Sequence, residues 1–336
     1  LRRRLLGIGV LPKFCGTIHR LIYTPQDDGD GGVAGWLTRE EMPYDVIIID
    51  EGSMIGTDVW RDLCAYNKKI LVVGDHGQLP PVGNDQVNLM ANPDLRLEKI
   101  HRQAEGNPIL KLSAEIRTSP RPQQTLLRFP DDAEGRVRHL HEDEAYEWME
   151  KQFRGPVGVA MHSALICGRN KLRTSLNAFI REHLDDNPIL AKNDVVMCLK
   201  NVYNVKGGNV LNGMRGFVTR VNKEPDTHVY ADIRFPDQKA TLSHAKMLKA
   251  QFGRPNKFEN FTALSDVLGR RVDKWGQVGL LFDYGFAATC HKIQGQEFPD
   301  VGVVADDVLR GPSDPDGRRW IYTSCTRASQ RLVVIV

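Results

Sequence analysis

The stretch Tyr44-Asp-Val-Ile-Ile-Ile-Asp50-Glu51-Gly-Ser-Met54 and the segment that follows it, Ile70-Leu-Val-Val-Gly74-Asp75-His-Gly-Gln78-Leu-Pro80-Pro81, decide the fold class. Each is a short β-branched run that ends in acidic or amide residues. Runs of this kind, uninterrupted by polar residues, suit parallel strands buried on both faces. Ligands of open α/β sheets sit just beyond the carboxyl ends of such strands. Asp50 then falls where a carboxylate holds Mg²⁺ through water, and Glu51 where a second one orients and deprotonates an attacking water. An Asp-Glu pair after a strand is often only the polar start of a loop. The second segment, with its Asp, Gln and two prolines, adds a rigid loop carrying a polar sensor.

With 336 residues the chain is long enough for two or three domains. Its 41% apolar and 26% charged residues are ordinary for a globular protein. The net charge of +3 is small, so any nucleic-acid surface must be local. Two stretches qualify. Residues 1–26 carry Arg2, Arg3, Arg4, Lys13 and Arg20 and no acid. Residues 246–274 carry seven Lys or Arg against three acids, interleaved with Phe252, Phe258 and Phe261. Taken alone, the second reads better as a solvated face with its own small core. Six scattered cysteines without C-x-x-C spacing suggest neither a zinc site nor a disulfide framework, and fit a reducing, cytoplasmic setting. No run is long enough to span a bilayer.

Along the chain, Asp58–Asn67 reads as a helix and the Asp-Asp-Gly-Asp-Gly-Gly turn after Gln26 suggests a hairpin over 24–43. Proline-rich residues 120–130 mark a domain crossing. Val157–Ala160 and Ser163–Cys167 read as strands, followed by a helix over Lys171–Leu184 with basic and amide residues on one face. From Pro188 to Gln277 short alternating segments read as a small β-barrel insert. The α/β pattern resumes at Val278 and closes with a strand at Arg331–Val336.

Five motifs in order carry a resemblance. They are Asp50-Glu-x-Ser-Met54, Gly74-Asp-x-x-Gln78-Leu-Pro-Pro81, His101-Arg102-Gln103, Thr289-x-His291-Lys292-x-Gln-Gly295 and Tyr322-Thr-x-x-Thr-Arg327-Ala328. Together they resemble the superfamily 1B DNA helicases of the RecD-like and Dda-like group, over essentially the whole chain. The resemblance implies an α/β fold with two RecA-like parallel-sheet lobes, the first one incomplete, and a small SH3-like β-barrel insert in the second. It divides the chain into residues 1–119 of the first lobe, 120–187 and 278–336 of the second, and 188–277 of the insert, with 24–43 as a pin hairpin. Trp36 would stand at the duplex junction or simply pack against its lobe. The implied activity is ATP-dependent translocation on single-stranded DNA, 5′ to 3′, in replication, recombination or repair. The implied partners are single-stranded DNA and single-strand/duplex junctions, with no membrane.

Residue by residue, the resemblance makes Asp50 an Mg²⁺ ligand, Glu51 the base and Gln78 the γ-phosphate sensor. Arg102 and Arg327 would be arginine fingers, a role that suits a fixed guanidinium beside spreading phosphoryl charge. Asp75, Gln103, Gly295 and Glu297 fall at the nucleotide, Glu297 near the ribose. Thr17, His19, Thr289, His291 and Lys292 fall along the nucleic-acid backbone, which hydroxyls and imidazoles contact without reading sequence. A lone histidine is more often a satisfied structural residue, which weakens His19 more than His291. The family's Gly-rich phosphate loop is absent, since no G-x-x-x-x-G-K-[ST] occurs. The chain is therefore expected to lack the opening of its first lobe and to be inactive alone. The alternative is a non-catalytic module that binds single-stranded nucleic acid.

Overall fold

The computed structural model describes residues 5, 7–11, 14–27, 33–80, 87–97, 106–182, 188–205, 208–236, 240–305 and 315–336. Two compact units divide the chain, Leu1–Arg102 and Gln103–Val336.

In the first unit, helix α1 (Ile18–Ile22) leads into an antiparallel hairpin of β1 (Tyr23–Asp27) and β2 (Val33–Thr38), with Tyr23 opposite Thr38. Strand β3 (Val46–Ile49) and strand β4 (Lys69–Val72) pair in parallel, Val46 opposite Lys69 and Ile49 opposite Val72. A 3₁₀ turn (Gly52–Met54) and helix α2 (Thr57–Cys64) connect them. Ile47 and Ile49 pack with Ile22, Ile55 and Leu63 in one core. The expectation of strands buried on both faces does not hold here. Side chains alternate along a strand, and Val46 and Ile48 on the opposite face are 56% and 66% exposed. Among the described residues the core covers one face only.

The second unit opens with helices α3 (Pro108–Thr118) and α4 (Pro122–Arg128). Asn107 caps α3 by accepting the Ile109 N–H at 2.9 Å, and Pro108 stands in its first turn, where a missing N–H costs nothing. Then come β5 (Val137–Leu140), α5 (Glu142–Phe153), α6 (Val157–His162), β6 (Ser163–Cys167) and α7 (Asn170–Arg181). Residues 157–160 are thus helical, not a strand. A six-residue apolar run has no decisive period, and its packing sets its state. The boundary between units also falls earlier than the proline-rich stretch suggested, because α3 packs within the second unit against α4.

An antiparallel region follows: β7 (Val195–Cys198), β8 (Val202–Val205), β9 (Gly208–Val210), β10 (Arg215–Lys223), β11 (His228–Phe235) and β12 (Ala240–Leu248). After helix α8 (Phe261–Leu268) comes β13 (Phe282–Tyr284). The sheet runs β12-β11-β10-β7-β13. Its two ends meet through Leu280 N–H to Lys246 O at 2.7 Å and Leu248 N–H to Leu280 O at 3.2 Å. Strand β13 was expected to resume the α/β pattern. It pairs antiparallel with β7 instead and belongs to this sheet.

The chain closes with β14 (Ala287–Thr289), the short helix α9 (Cys290–Ile293), β15 (Phe298–Val304), α10 (Pro315–Cys325) and β16 (Ala328–Ile335). These complete an all-parallel sheet of order β14-β6-β15-β16-β5. Here the reading from apolar runs holds: every residue of β6 is buried, as a central parallel strand requires.

Helix α7 fastens the antiparallel sheet to the parallel one. Arg173, Asn177 and Arg181 recur every four residues, so they share a helical face, and all three are buried. Arg173 pairs with Asp283 at 2.5 Å and Arg181 with Asp194 at 3.0 Å. Asn177 accepts the Ala287 N–H at 2.8 Å and donates to Ala287 O at 3.2 Å. The basic and amide face foreseen on this helix is a buried polar seam. Each charge in it faces a partner, so removing one would strand the other in the interior.

Candidate functional site

In the first unit the carboxyl ends of β3 and β4 are stitched together. Val73 N–H donates to Ile49 O at 2.8 Å, and Gly52 N–H donates to Val73 O at 2.9 Å. A Cβ on Gly74 would lie 3.0 Å from Gly52 N and 3.2 Å from Ser53 N, so only glycine lets the two loops touch. This contact brings Asp50-Glu51 beside Gly74-Asp75. Glu51 adopts a left-handed backbone, φ 57° and ψ 44°. For a residue with a Cβ this costs about 1–2 kcal/mol. Strain of that kind concentrates at functional positions.

Asp75 shapes the loop that carries Gln78. Its Oδ1 accepts the Gly77 N–H at 2.9 Å and its carbonyl accepts the Gln78 N–H at 3.2 Å. Gln78 Oε1 and Ser53 Oγ are both buried without a hydrogen-bond partner among the described residues. Each orphan of this kind costs about 1–3 kcal/mol unless a ligand or water satisfies it. A serine in a loop carries no signal of its own, so the sequence does not single out Ser53.

Thr17 caps α1, its Oγ1 accepting the Arg20 N–H at 3.4 Å. The ring of His19 lies 5.6 Å from Tyr23 and 6.4 Å from Trp36, centre to centre. Burial holds the His19 pKa below its ordinary value. Trp36 also meets Tyr23 at 6.4 Å, so it belongs to this aromatic cluster within its own unit. Arg102 and Gln103 lie outside the described residues.

In the second unit the parallel sheet sorts the remaining candidates. Thr289 ends β14 and stands at the head of α9, which carries His291 and Lys292. Glu297 and Arg327 instead stand just before β15 and β16, at their amino ends. Thr289 is buried and His291 exposed. Lys292 Nζ donates to Asn212 Oδ1 at 3.1 Å. Burial lowers the Lys292 pKa, and Lys257 and Arg173 lower it further. Gln296 Nε2 donates to Gly213 O at 3.1 Å, which ties the 211–214 turn to the loop holding Gly295. Arg327 is buried, and its guanidinium donates to Thr323 O at 3.0 Å, Gln296 O at 2.9 Å and Thr326 Oγ1 at 3.2 Å. The link from Asn212 to Lys292 spans 80 positions, so no spacing rule could have found it.

All six cysteines are free thiols. Among the described residues no helix is long and apolar enough to cross a membrane.

Known proteins are similar to this chain in sequence. Residues 13–142 match an AAA domain, and residues 284–335 match the UvrD-like helicase C-terminal domain. The ATP-dependent RecD2 DNA helicase of Deinococcus radiodurans is 26% identical over 343 residues, which cover 96% of this chain and 40% of that protein. The chain thus spans less than half the length of that relative. Among solved structures, Pif1 helicase from Bacteroides in complex with ADP-AlF3 and ssDNA aligns at 17% identity with a TM-score of 0.49. It covers 87% of this chain and 70% of that one. Pif1 helicase from Candida albicans aligns at 14% identity with a TM-score of 0.48, covering 87% and 71%. The two domain matches, the RecD2 relative and the motif order support a helicase of superfamily 1. Within that superfamily they support the RecD-like group of branch 1B.

Proposed function

We propose that the protein containing this chain is an ATP-dependent DNA helicase that translocates 5′ to 3′ on single-stranded DNA and acts at single-strand/duplex junctions. The observation that carries the reading is the stitched pair of strand ends. It sets Asp50, Glu51 and Ser53 against the Gly74–Gln78 loop, with two buried oxygens that lack hydrogen-bond partners among the described residues. Ser53 Oγ can meet a metal ion, and Gln78 Oε1, an acceptor, needs a donor such as the attacking water, while the Gln78 amide N–H groups can donate to phosphate.

Asp50 and Ser53 are hard oxygen donors, and Mg²⁺ is commonly bound by one or two carboxylates together with substrate phosphates and water. They would hold the ion, Asp50 through water; when bound, the ion neutralises charge developing on the phosphates. Glu51 orients the attacking water and takes its proton. Gln78 reads the γ-phosphate from a loop that Asp75 holds in shape. By their place in the motifs, Arg327, Arg102 and Gln103 are assigned to the phosphates, and Gly295 and Glu297 to the nucleotide. To act as a finger, Arg327 exchanges its bonds to Gln296 O and Thr326 Oγ1 for phosphate oxygens. Thr17, His19, Thr289, His291 and Lys292 contact the strand backbone. In this reading the first unit belongs to one RecA-like lobe with the 24–43 hairpin as its pin. The second unit is the other lobe, carrying an SH3-like insert.

Glu51→Gln in the full-length protein tests the chemistry, because it removes the base and little else. ATP and DNA binding should persist while single-strand-stimulated ATP hydrolysis disappears. Near-normal turnover in the variant would refute the assignment.

A further inference from the structure

Lys200, Lys257 and Lys292 come from three separate stretches and converge on one region of the second unit. Lys200 and Lys257 line an open depression of about 200 Å³ with Phe258, Glu259, Trp275 and Leu281. Lys200 Nζ sits 3.5 Å from the centre of the Trp275 ring, a cation–π contact that restrains its ammonium. The next residue, Asn201, accepts the Asn212 N–H on its Oδ1 at 2.7 Å, and Asn212 Oδ1 in turn accepts Lys292 Nζ at 3.1 Å. Cys198 O also accepts the Gly213 N–H at 2.8 Å. The end of β7, the 211–214 turn and α9 are therefore one hydrogen-bonded block.

Lys257 is delivered by a loop held from the inside. Arg173 donates to Arg254 O at 2.9 Å and Pro255 O at 3.2 Å while pairing with Asp283. The second oxygen of Asp283 accepts the Gly253 N–H at 2.8 Å. The aromatic residues of this stretch are partly accounted for by packing, since Phe258 belongs to a small core with Leu264 and Leu281.

We propose that Lys200 and Lys257 extend the Lys292 position into a three-lysine seat for successive phosphates of a single nucleic-acid strand. This rests on the helicase reading and deepens it, adding two contacts that no motif contains. Lysine suits the task as a point charge that neutralises phosphate without reading bases. Burial depresses Lys292 most and the nearby Lys257 and Arg173 charges add to this; a bound anion offsets the repulsion between Lys257 and Lys292. Glu259 is the carboxylate that lines the depression, and it reduces the positive excess without cancelling it.

The test is a titration of the full-length protein with a fluorescein-labelled oligothymidylate at several salt concentrations, comparing wild type with Lys200→Ala/Lys257→Ala. For single strands the slope of log K against log salt changes by about 0.7 per phosphate contact. The double variant should lose about 1.4 from that slope, and Lys257→Arg should lose none. Circular dichroism melts confirm that each variant is folded. An unchanged slope in the folded double variant overturns the proposal. So does tight binding of inorganic phosphate that the double variant abolishes while the DNA slope stays the same, since that assigns the depression to a free anion. A wild-type protein that fails to bind oligothymidylate brings down the helicase reading as well. A loss seen in His291→Ala but not in the double variant leaves that reading standing and removes only the seat.

Discussion

Gly213 and Lys292 meet backbone to backbone: a Cβ on Gly213 would lie 2.8 Å from the Lys292 carbonyl oxygen. The turn of the antiparallel sheet is thus pressed against the helix that carries His291. Gly213 also has φ +86°, a backbone region that side chains disfavour.

Gly213→Ala should therefore act twice. Left-handed strain alone costs about 1–2 kcal/mol, and the clash forces the turn off α9. Lys292 and Gln296 then lose Asn212 and Gly213 as partners. A lower melting temperature together with weaker oligothymidylate binding is expected. A variant that melts like wild type would contradict the contact.

The Arg173–Asp283 pair makes a second prediction. Both side chains are buried, at 9% and 1% exposure. Removing one partner strands the other charge, a loss of about 3–5 kcal/mol. Arg173→Met should lower the urea midpoint on that scale. Adding Asp283→Asn should restore part of it, because the amide oxygen still accepts the Gly253 and Tyr284 N–H groups. A double variant no better than the single one would show that the pair is not coupled.

His228 ties stability to pH. Its Nε2 meets Val278 O at 2.9 Å and its Nδ1 meets Thr227 Oγ1 at 2.8 Å, a pattern that the neutral ring satisfies with Nε2 as donor and Nδ1 as acceptor. Burial lowers its pKa; the Val278 bond opposes this, while Lys246 and Arg270 add to it. The unfolded chain titrates at about 6.5. Below that value the unfolded state takes up the proton first, so the contribution is complete above about 6.5 and is lost as pH falls toward the folded pKa. Urea midpoints at pH of about 7.5 and about 5.5 should differ more in wild type than in His228→Gln. Equal differences would exclude His228 as the source.

Arg327 separates a structural role from a catalytic one. Its three donated hydrogen bonds hold Thr323, Gln296 and Thr326 in place, so Arg327→Ala should lower the melting temperature. If it is also a finger, turnover at a temperature where the variant is folded should fall by about 10³-fold. A drop in turnover that only follows the unfolded fraction would leave it a structural residue.

The chemistry-bearing segments were legible because their signals are local. The Asp50-Glu51 pair follows an apolar run, and the structure places it at the end of β3. Short runs were less secure. Residues 157–160 and the strand at 282–284 are both brief and apolar, and neither carries a period that fixes its state or its partner. Their placement in a helix and in the antiparallel sheet came from the surfaces available to cover them.

The chain's own order of residues determined which groups stand at strand ends, where glycine must be, and which group of helicases it resembles. Only the tertiary structure decided that the polar face of α7 points inward, that among the described residues the sheet of β3 and β4 has one covered face, and that Lys200, Lys257 and Lys292 converge. The reason is geometric. Spacing along the chain dictates which side chains share one helix face or one strand face. Proximity between residues far apart in sequence depends on which of those faces are buried against each other, and on the hydrogen bonds that burial obliges them to make.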